Sequence, residues 1–319
     1  MIPPVRPITT KDVEEARLRI AKTIIHTPLV KFEAGSGSPQ IWLKLENLQP
    51  TNSYKIRGAA NAVARLSNEE RARGVWTISA GNAGQGVAYA ARAFGISCTV
   101  VAIETAPETK LKRMRALGAR IVPVSYEEAW RAAEAHQFEG LEGTFVHPFD
   151  NHDFIAGHGT MGLEILEDLP EVRTVIGAIG GGGLITGVGS AIKARRPDVA
   201  VLGAEPETAA PYAYSLAKGG AQWFPDWKAS FVDGAGGKSV TERMWERMRP
   251  VTDGAITVTL DQTREAMRKI AESSRTIPEG AGALALAAAL TGEAGEGPIV
   301  CIVSGGNIDL RKFAELVTG

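Results

Sequence analysis

The run VWTISAGNAGQGVAYAARAFGISCTVVAI, Val75 to Ile103, decides the fold. Val75 to Ser79 is a short apolar, β-branched stretch, and Cys98 to Ile103 repeats that character after the helical spacing of Gly84 to Phe94. Strand, helix and strand in that order make a βαβ unit, which requires a parallel sheet covered on both faces. The same alternation runs outward. Helix Ile56 to Leu66 precedes it, and helix Pro107 to Leu117, strand Ile121 to Val124, helix Tyr126 to His136 and a short strand Thr144 to Phe149 follow. A second series comprises helix Ile155 to Asp168, strand Thr174 to Ile179, helix Leu184 to Ala194 and strand Ala200 to Ala204. After Glu205 the rhythm breaks into Pro211 to Pro225, with Trp223, Trp227 and Trp245 nearby, a lid or a surface excursion. It resumes with strand Ala255 to Val258, helices Asp261 to Ser274 and Ala281 to Leu290, and strand Ile299 to Val303.

Upstream, Thr9-x-x-Asp12 opens a helix expected to reach Ile25; Ser36 to Gln40 reads as a loop and Ile41 to Leu45 as a strand. A chain of 319 residues exceeds one ordinary core. The expectation is an α/β protein of two open parallel-sheet lobes with a cleft between them. Residues 1–50 with 150–319 form the larger domain and 51–149 the smaller.

Lys and Arg number 35 against 36 Asp and Glu, a net charge of -1. No global field draws in nucleic acid or an acidic membrane surface, so chemistry on a small molecule is expected. Cys98 and Cys301 both sit in apolar runs without ligand or disulfide spacing, which suits a reducing compartment. The amino end has no apolar h-region and no stretch approaches a membrane span of about 18 apolar residues. A cytoplasmic protein without a cleaved signal is expected.

Open parallel sheets bind ligands beyond the carboxyl ends of their strands. Three such loops are unusual here. Ser79-Ala80-Gly81-Asn82-Ala83 offers backbone N–H groups at a helix start, suited to a carboxylate or phosphate; a tight packing turn explains its glycine nearly as well. Gly180-Gly181-Gly182-Gly183 before Leu184 can wrap an anion, although it is neither a Walker A loop nor more than a degenerate match to G-x-G-x-x-G. Ser304-Gly305-Gly306-Asn307 places a hydroxyl at the end of the last strand. Lys55, after Ser53 and Tyr54, belongs in the first turn of a helix, where the helix dipole and Arg57 are expected to lower its pKa. Alone it reads as a solvated lysine. An activated lysine, an Asn-bearing loop, a phosphate cup and a terminal hydroxyl together suggest one cofactor, pyridoxal phosphate.

Pro50-Thr51-Asn52-Ser53-Tyr54-Lys55-Ile56-Arg57-Gly58-Ala59 resembles the lysine motif of the threonine/serine dehydratase and serine racemase family, fold type II pyridoxal-phosphate enzymes. Similar too are Ser79 to Gln85, His147 to Asp150, Ile155-Ala156-Gly157 with Gly159-Thr160, the glycine run, Glu279 to Gly282 and Ser304 to Asn307. The resemblance implies that Lys55 carries the cofactor as a Schiff base and takes the Cα proton. It implies cofactor contacts from Tyr54, Asn82, Phe149, Gly180, Gly181, Gly182, Gly183, Leu184, Glu279 and Ser304. Substrate contacts come from Ser79, Ala80, Gly81, Asn82 and Ala83, and no metal is needed. A neutral Ser304 facing the pyridine nitrogen disfavours a long-lived carbanion and favours loss of a β-substituent. The implied reaction turns a β-hydroxy amino acid, L-threonine or L-serine by default, into a 2-oxo acid and ammonia.

Departures sharpen this. Racemases of the family place a serine at Ala80, so elimination is expected over racemisation. Ala83 replaces a common histidine, Tyr54 a phenylalanine and Asn52 a glycine. The racemase-type cation site keeps Glu205 but has Pro211 where an acid is needed. Cysteine and threonine synthases, which have Asp-Arg after the lysine where this chain has Ile56-Arg57, are the next choice. 3-Hydroxyaspartate or phenylserine would use the same chemistry. A non-catalytic phosphate- or nucleotide-binding module is the reading from a different class. The chain ends soon after Ser304, so isoleucine feedback is not expected; a homodimer or higher homo-oligomer is usual for what it resembles.

Overall fold

The computed structural model describes residues 2–35, 39–106 and 108–319. Ser36 to Ser38 of the expected loop, and Pro107 at an expected helix start, lie outside the described residues. Among the described residues the strands are β1 (Leu29–Phe32), β2 (Ile41–Lys44), β3 (Val75–Ile78), β4 (Cys98–Ile103), β5 (Arg120–Val124), β6 (Thr144–Phe145), β7 (Thr174–Ala178), β8 (Ala200–Pro206), β9 (Gly254–Val258) and β10 (Ile299–Ile302). The helices are α1 (Thr10–Ile20), α2 (Lys55–Ala64), α3 (Asn68–Arg73), α4 (Asn82–Ala93), α5 (Glu108–Ala116), α6 (Tyr126–Ala135) and α7 (His152–Asp168). After them come α8 (Gly183–Arg195), α9 (Pro211–Lys218), α10 (Glu242–Met248), α11 (Leu260–Ser274), α12 (Gly280–Leu290) and α13 (Leu310–Thr318).

Two sheets result. One has the order β5-β4-β3-β6 and is parallel throughout. The other has the order β1-β2-β10-β7-β8-β9, parallel except for β1, which runs antiparallel to β2 with Leu29 opposite Lys44 and Phe32 opposite Ile41. Side chains alternate across a strand, so each central strand feeds two cores. In β10, Ile299 and Cys301 pack into one core with α11 and α12, whereas Val300 and Ile302 enter the other with α7 and α8. The four-stranded sheet does likewise: Val100 of β4 meets α2 and α4, and Val101 meets α6. The alanine-rich α12 has Gly280 to Ala289 all buried, because small side chains let it lie close against the sheet.

Some sequence expectations need correction. The first helix ends at Ile20, with only turns from Ala21 to Ile24. Its capping box is present, Thr9 and Asp12 each accepting the other's backbone N–H. Strand β6 stops at Phe145 rather than Phe149, because the chain turns there: the His147 ring nitrogen Nδ1 accepts the N–H groups of Phe149 and Asp150 at 3.3 and 2.9 Å. The segment after Glu205 contains α9 and α10. Short β1, α3 and α13 were not expected, although α13 has helical apolar spacing, with Phe313, Leu316 and Val317 packed on the core.

The long helix α7 runs between the two sheets' helices and touches α2 and α8 through glycines. A Cβ on Gly157 would collide with the backbone of Arg57 and Gly58, and one on Gly58 would lie 2.5 Å from the Phe154 carbonyl. Only glycine permits backbones so close. That crossing fixes where α2, and hence Lys55, begins.

Candidate active site

Lys55 opens α2, and the start of that helix is tied to the end of β10: the Tyr54 N–H donates to the Ser304 carbonyl at 3.0 Å, and Ser53 bridges to Gly305. The Lys55 Nζ donates to the Pro148 carbonyl at 2.7 Å and lies over the rings of Tyr54 and Phe154 at 5.3 and 5.5 Å. Among the described residues no carboxylate forms an ion pair with it. Burial lowers its pKa to about 7, so near neutral pH about half the amines are uncharged.

Desolvation, and not the neighbouring cation, accounts for that shift. Arg57 was expected to repel Lys55, yet it is turned away into a buried web. Its Nε reaches Glu46 at 2.7 Å, and its two terminal nitrogens reach Glu164 at 2.7 and 2.8 Å. Lys44 extends the web to Glu164 at 2.8 Å and Asp168 at 3.1 Å. Burial pushes the Glu46 carboxyl up, but Arg57 outweighs it and holds the carboxyl below its ordinary range.

Above Lys55 lies a cavity of about 420 Å³. One wall is the loop between β3 and α4, Ser79 to Ala83; the opposite wall is Gly180, Gly181 and Leu184 at the start of α8. Tyr54, Phe149, Glu279 and Ser304 complete it. Of the glycine run, Gly182 and Gly183 do not line the cavity. Gly182 caps α8 in the left-handed region at φ 83°, and a Cβ there would strike Met248; one on Gly181 would strike the Phe149 ring. The glycines thus allow close packing, while the first N–H groups of α8 have no partner within the helix, so a helix start beside this cavity can take an anion.

Asn82 starts α4 and is held from both ends: its Nδ2 donates to Glu279 at 2.6 Å, and its Oδ1 accepts from Asn307 at 2.8 Å. Burial, then the nearby Asp233, raise the Glu279 pKa to about 7. Ser304 is buried, its hydroxyl 3.3 Å from the Ala281 carbonyl. Ala80 and Ala83 contribute no side-chain hydrogen-bonding group. Lys110 and Asp233, which pair with each other, and the Pro148 carbonyl also line the space. None of these three was expected. Backbone carbonyls carry no residue signature, and Lys110 and Asp233 meet only across 123 positions.

Glu205, considered above as a remnant cation ligand, accepts the N–H groups of Tyr212 and Ala213 at 2.9 and 2.7 Å and so caps α9. Burial raises its pKa to about 7. His158, buried beside Tyr54 and Phe154, is kept neutral first by burial and then by Lys55 and Arg57.

The donors present fit pyridoxal phosphate. A buried, partly deprotonated amine can capture its aldehyde, the α8 N-terminus can take its phosphate, and Ser304 offers a neutral hydroxyl.

A family model described as pyridoxal-phosphate dependent enzyme matches residues 20–305. The chain is 41% identical over 318 residues to the L-threonine ammonia-lyase of Thermotoga maritima, covering 97% of this chain and 78% of that one. It is 36% identical over 321 residues to a catabolic L-threonine dehydratase of Staphylococcus aureus, covering 97% and 92%. The serine racemase from Dictyostelium discoideum has a similar structure, with a TM-score of 0.86, 35% identity and coverage of 95% and 99%. The chain therefore belongs to the family of pyridoxal-phosphate dependent enzymes.

Proposed function

We propose that this chain removes water and then ammonia from a β-hydroxy amino acid of the L-threonine and L-serine class, leaving the 2-oxo acid. The observation that carries the reading is the Lys55 amine, unpaired by any described carboxylate and poised near pKa 7 at the floor of the cavity. When bound, pyridoxal phosphate supplies an electron sink that acidifies the substrate's Cα–H. Lys55 holds the cofactor and then receives the Cα proton at Nζ. The N–H groups from Ser79 to Ala83 orient the substrate carboxylate, with Asn82 steadied by Glu279 and Asn307. The start of α8 would hold the phosphate, with Phe149 and the uncharged Ser304 lining the same cavity. The hydroxyl leaves from Cβ and, with the proton taken from Cα, is lost as water; the enamine so released tautomerises to the imine, whose hydrolysis gives ammonia and the 2-oxo acid. On the face opposite Lys55, Ala80 has no group that holds a proton, which supports elimination over racemisation.

The two sheets with their helices serve as two domains divided near residues 50 and 150. Self-association into a homodimer or higher homo-oligomer, usual for what the chain resembles, is part of the proposal. Residence in the cytoplasm is supported by two free, buried cysteines. No helix among the described residues is long and apolar enough to cross a membrane. Purified holoenzyme should release 2-oxobutanoate from L-threonine and pyruvate from L-serine, and Lys55→Ala should release neither. A coloured protein that turns over no β-hydroxy amino acid defeats the proposal.

A further inference from the structure

Behind the Ser79–Ala80 loop lies a second cavity of about 520 Å³, larger than the cofactor cavity. The two share Ile78, Ser79, Ala80, Ile103, Pro148 and Phe149 in their linings, so they adjoin along the Ser79–Ala80 loop, where the Ala80 side chain is only a methyl group. The far wall is the inner face of α6, with Tyr126, Ala129, Trp130 and Ala133, joined by Val101. Trp130 also borders the space in front of Gly180 and Gly181, so its ring reaches the phosphate side of the site as well.

Of the groups bordering this second cavity, the cation is already matched and the histidines are neutral, which leaves only negative charge free. Arg243 and Arg247 both bind Asp150, and Arg243 also donates to the Pro3 carbonyl at 2.9 Å. Burial keeps His147 neutral, with a pKa of about 3, and lowers that of His136. Glu134 and Glu242 are acidic. Such a space rejects an anionic group and accepts an apolar one.

We propose that this second cavity receives the β-substituent of the substrate, so that the chain dehydrates β-hydroxy amino acids carrying a bulky apolar or aryl group, 3-phenylserine being the simplest aryl member. The inference rests on the dehydratase reading. A dry apolar cavity of roughly 150 Å³ holds benzene, so a phenyl ring fits with room to spare. The same lining argues against 3-hydroxyaspartate, whose second carboxylate finds no uncommitted cation. The reaction balances without an oxidant: Cα–H and Cβ–O break, water leaves, and one water then replaces nitrogen to give the 2-oxo acid and ammonium.

The test uses holoenzyme and two readouts. L-Phenylalanine, which has the ring but no hydroxyl to lose, should perturb the visible cofactor band at a concentration at least tenfold below that needed for L-alanine. Release of phenylpyruvate from L-3-phenylserine should have a kcat/KM within tenfold of that for L-threonine. Ala133 is half-buried on α6, and Ala133→Leu should lower the phenylserine to threonine ratio at least tenfold and weaken L-phenylalanine alike. Equal binding of L-phenylalanine and L-alanine overturns the proposal whatever threonine does, and so does a ratio unmoved in Ala133→Leu. Tight L-phenylalanine binding with no turnover of any β-hydroxy amino acid leaves the cavity's role standing and defeats the dehydratase reading instead.

Discussion

Lys55 and Arg57 stand two residues apart on the first turn of α2, and the molecule treats them in opposite ways. Arg57 is fully buried between Glu46 and Glu164, and its charge is fixed. Lys55 is desolvated too but is given only a carbonyl, so its charge is negotiable. Burial disfavours any cation; what decides the outcome is whether a carboxylate accompanies it. The region under α2 is therefore an anchor and the region above it a place for chemistry. The helix start serves both because its two cations point in different directions.

The largest effect that tests this contrast comes from Lys55→Ala. Loss of the general base alone removes about 10²–10⁴-fold of the rate, and the covalent anchor is lost with it. Turnover of L-threonine should fall at least that far while urea unfolding stays cooperative; persistence of both turnover and the visible band would show that another amine serves. Next comes Arg57→Met, which strands Glu46 without its guanidinium and leaves Glu164 with Lys44 alone. Removing one member of a buried ion pair costs about 3–5 kcal/mol, read from the urea midpoint. The double replacement Glu46→Gln, Arg57→Met, which leaves Glu164 paired with Lys44, should recover much of that loss. If the single change proves harmless, the web is not the anchor described.

The alternation that gives two sheets was legible from residues 75–103 outward, because buried parallel strands and their crossover helices each leave a strong periodic trace. That Lys55, the 79–83 loop, Gly180, Gly181 and Ser304 come together around one cavity was legible by motif and by position at strand ends, whereas Gly182 and Gly183 stand outside it. The direction of the lysine's pKa shift was also foreseen, but its cause was misassigned. Adjacency in sequence placed Arg57 beside Lys55, whereas Arg57 faces Glu164, 107 positions away. Nothing local announces such a partner. The Pro148 carbonyl was invisible for a different reason, since every residue has one. The space behind Ala80 was equally hidden, because it forms only when α6 packs on the four-stranded sheet. Strand β1 was missed because it is an antiparallel edge strand that stands outside the strand–helix alternation.

A smaller effect separates a negotiable charge from a fixed one. With the cofactor stripped, only the free amine of Lys55 can capture added pyridoxal phosphate. A pKa of about 7 leaves roughly a tenth of the amines free at pH 6 and nine tenths at pH 8. The capture rate should therefore rise about tenfold over that interval and flatten above it, as followed by growth of the visible band. An ordinary lysine, with a pKa near 10.4, would keep climbing through pH 9. That result would place Lys55 in solvent and remove its contrast with Arg57.

The smallest expected effect concerns the two faces of the planar intermediate. In the proposed reaction one has Lys55 and the other Ala80, whose methyl group neither gives nor takes a proton. A missing acid or base slows a proton transfer by roughly 10²–10⁴-fold, so L-serine should yield less than about one D-serine per hundred eliminations. Ala80→Ser puts a hydroxyl on that face. A hydroxyl is a weak base unless a neighbour activates it, and nearby His147 already uses Nδ1 to accept two backbone N–H groups. D-serine should therefore increase by less than about tenfold, measured by chiral chromatography alongside pyruvate. Abundant D-serine from the unaltered chain would mean that Ala80 is not the group opposite Lys55, and that proton transfer on the second face comes from elsewhere in the cavity wall.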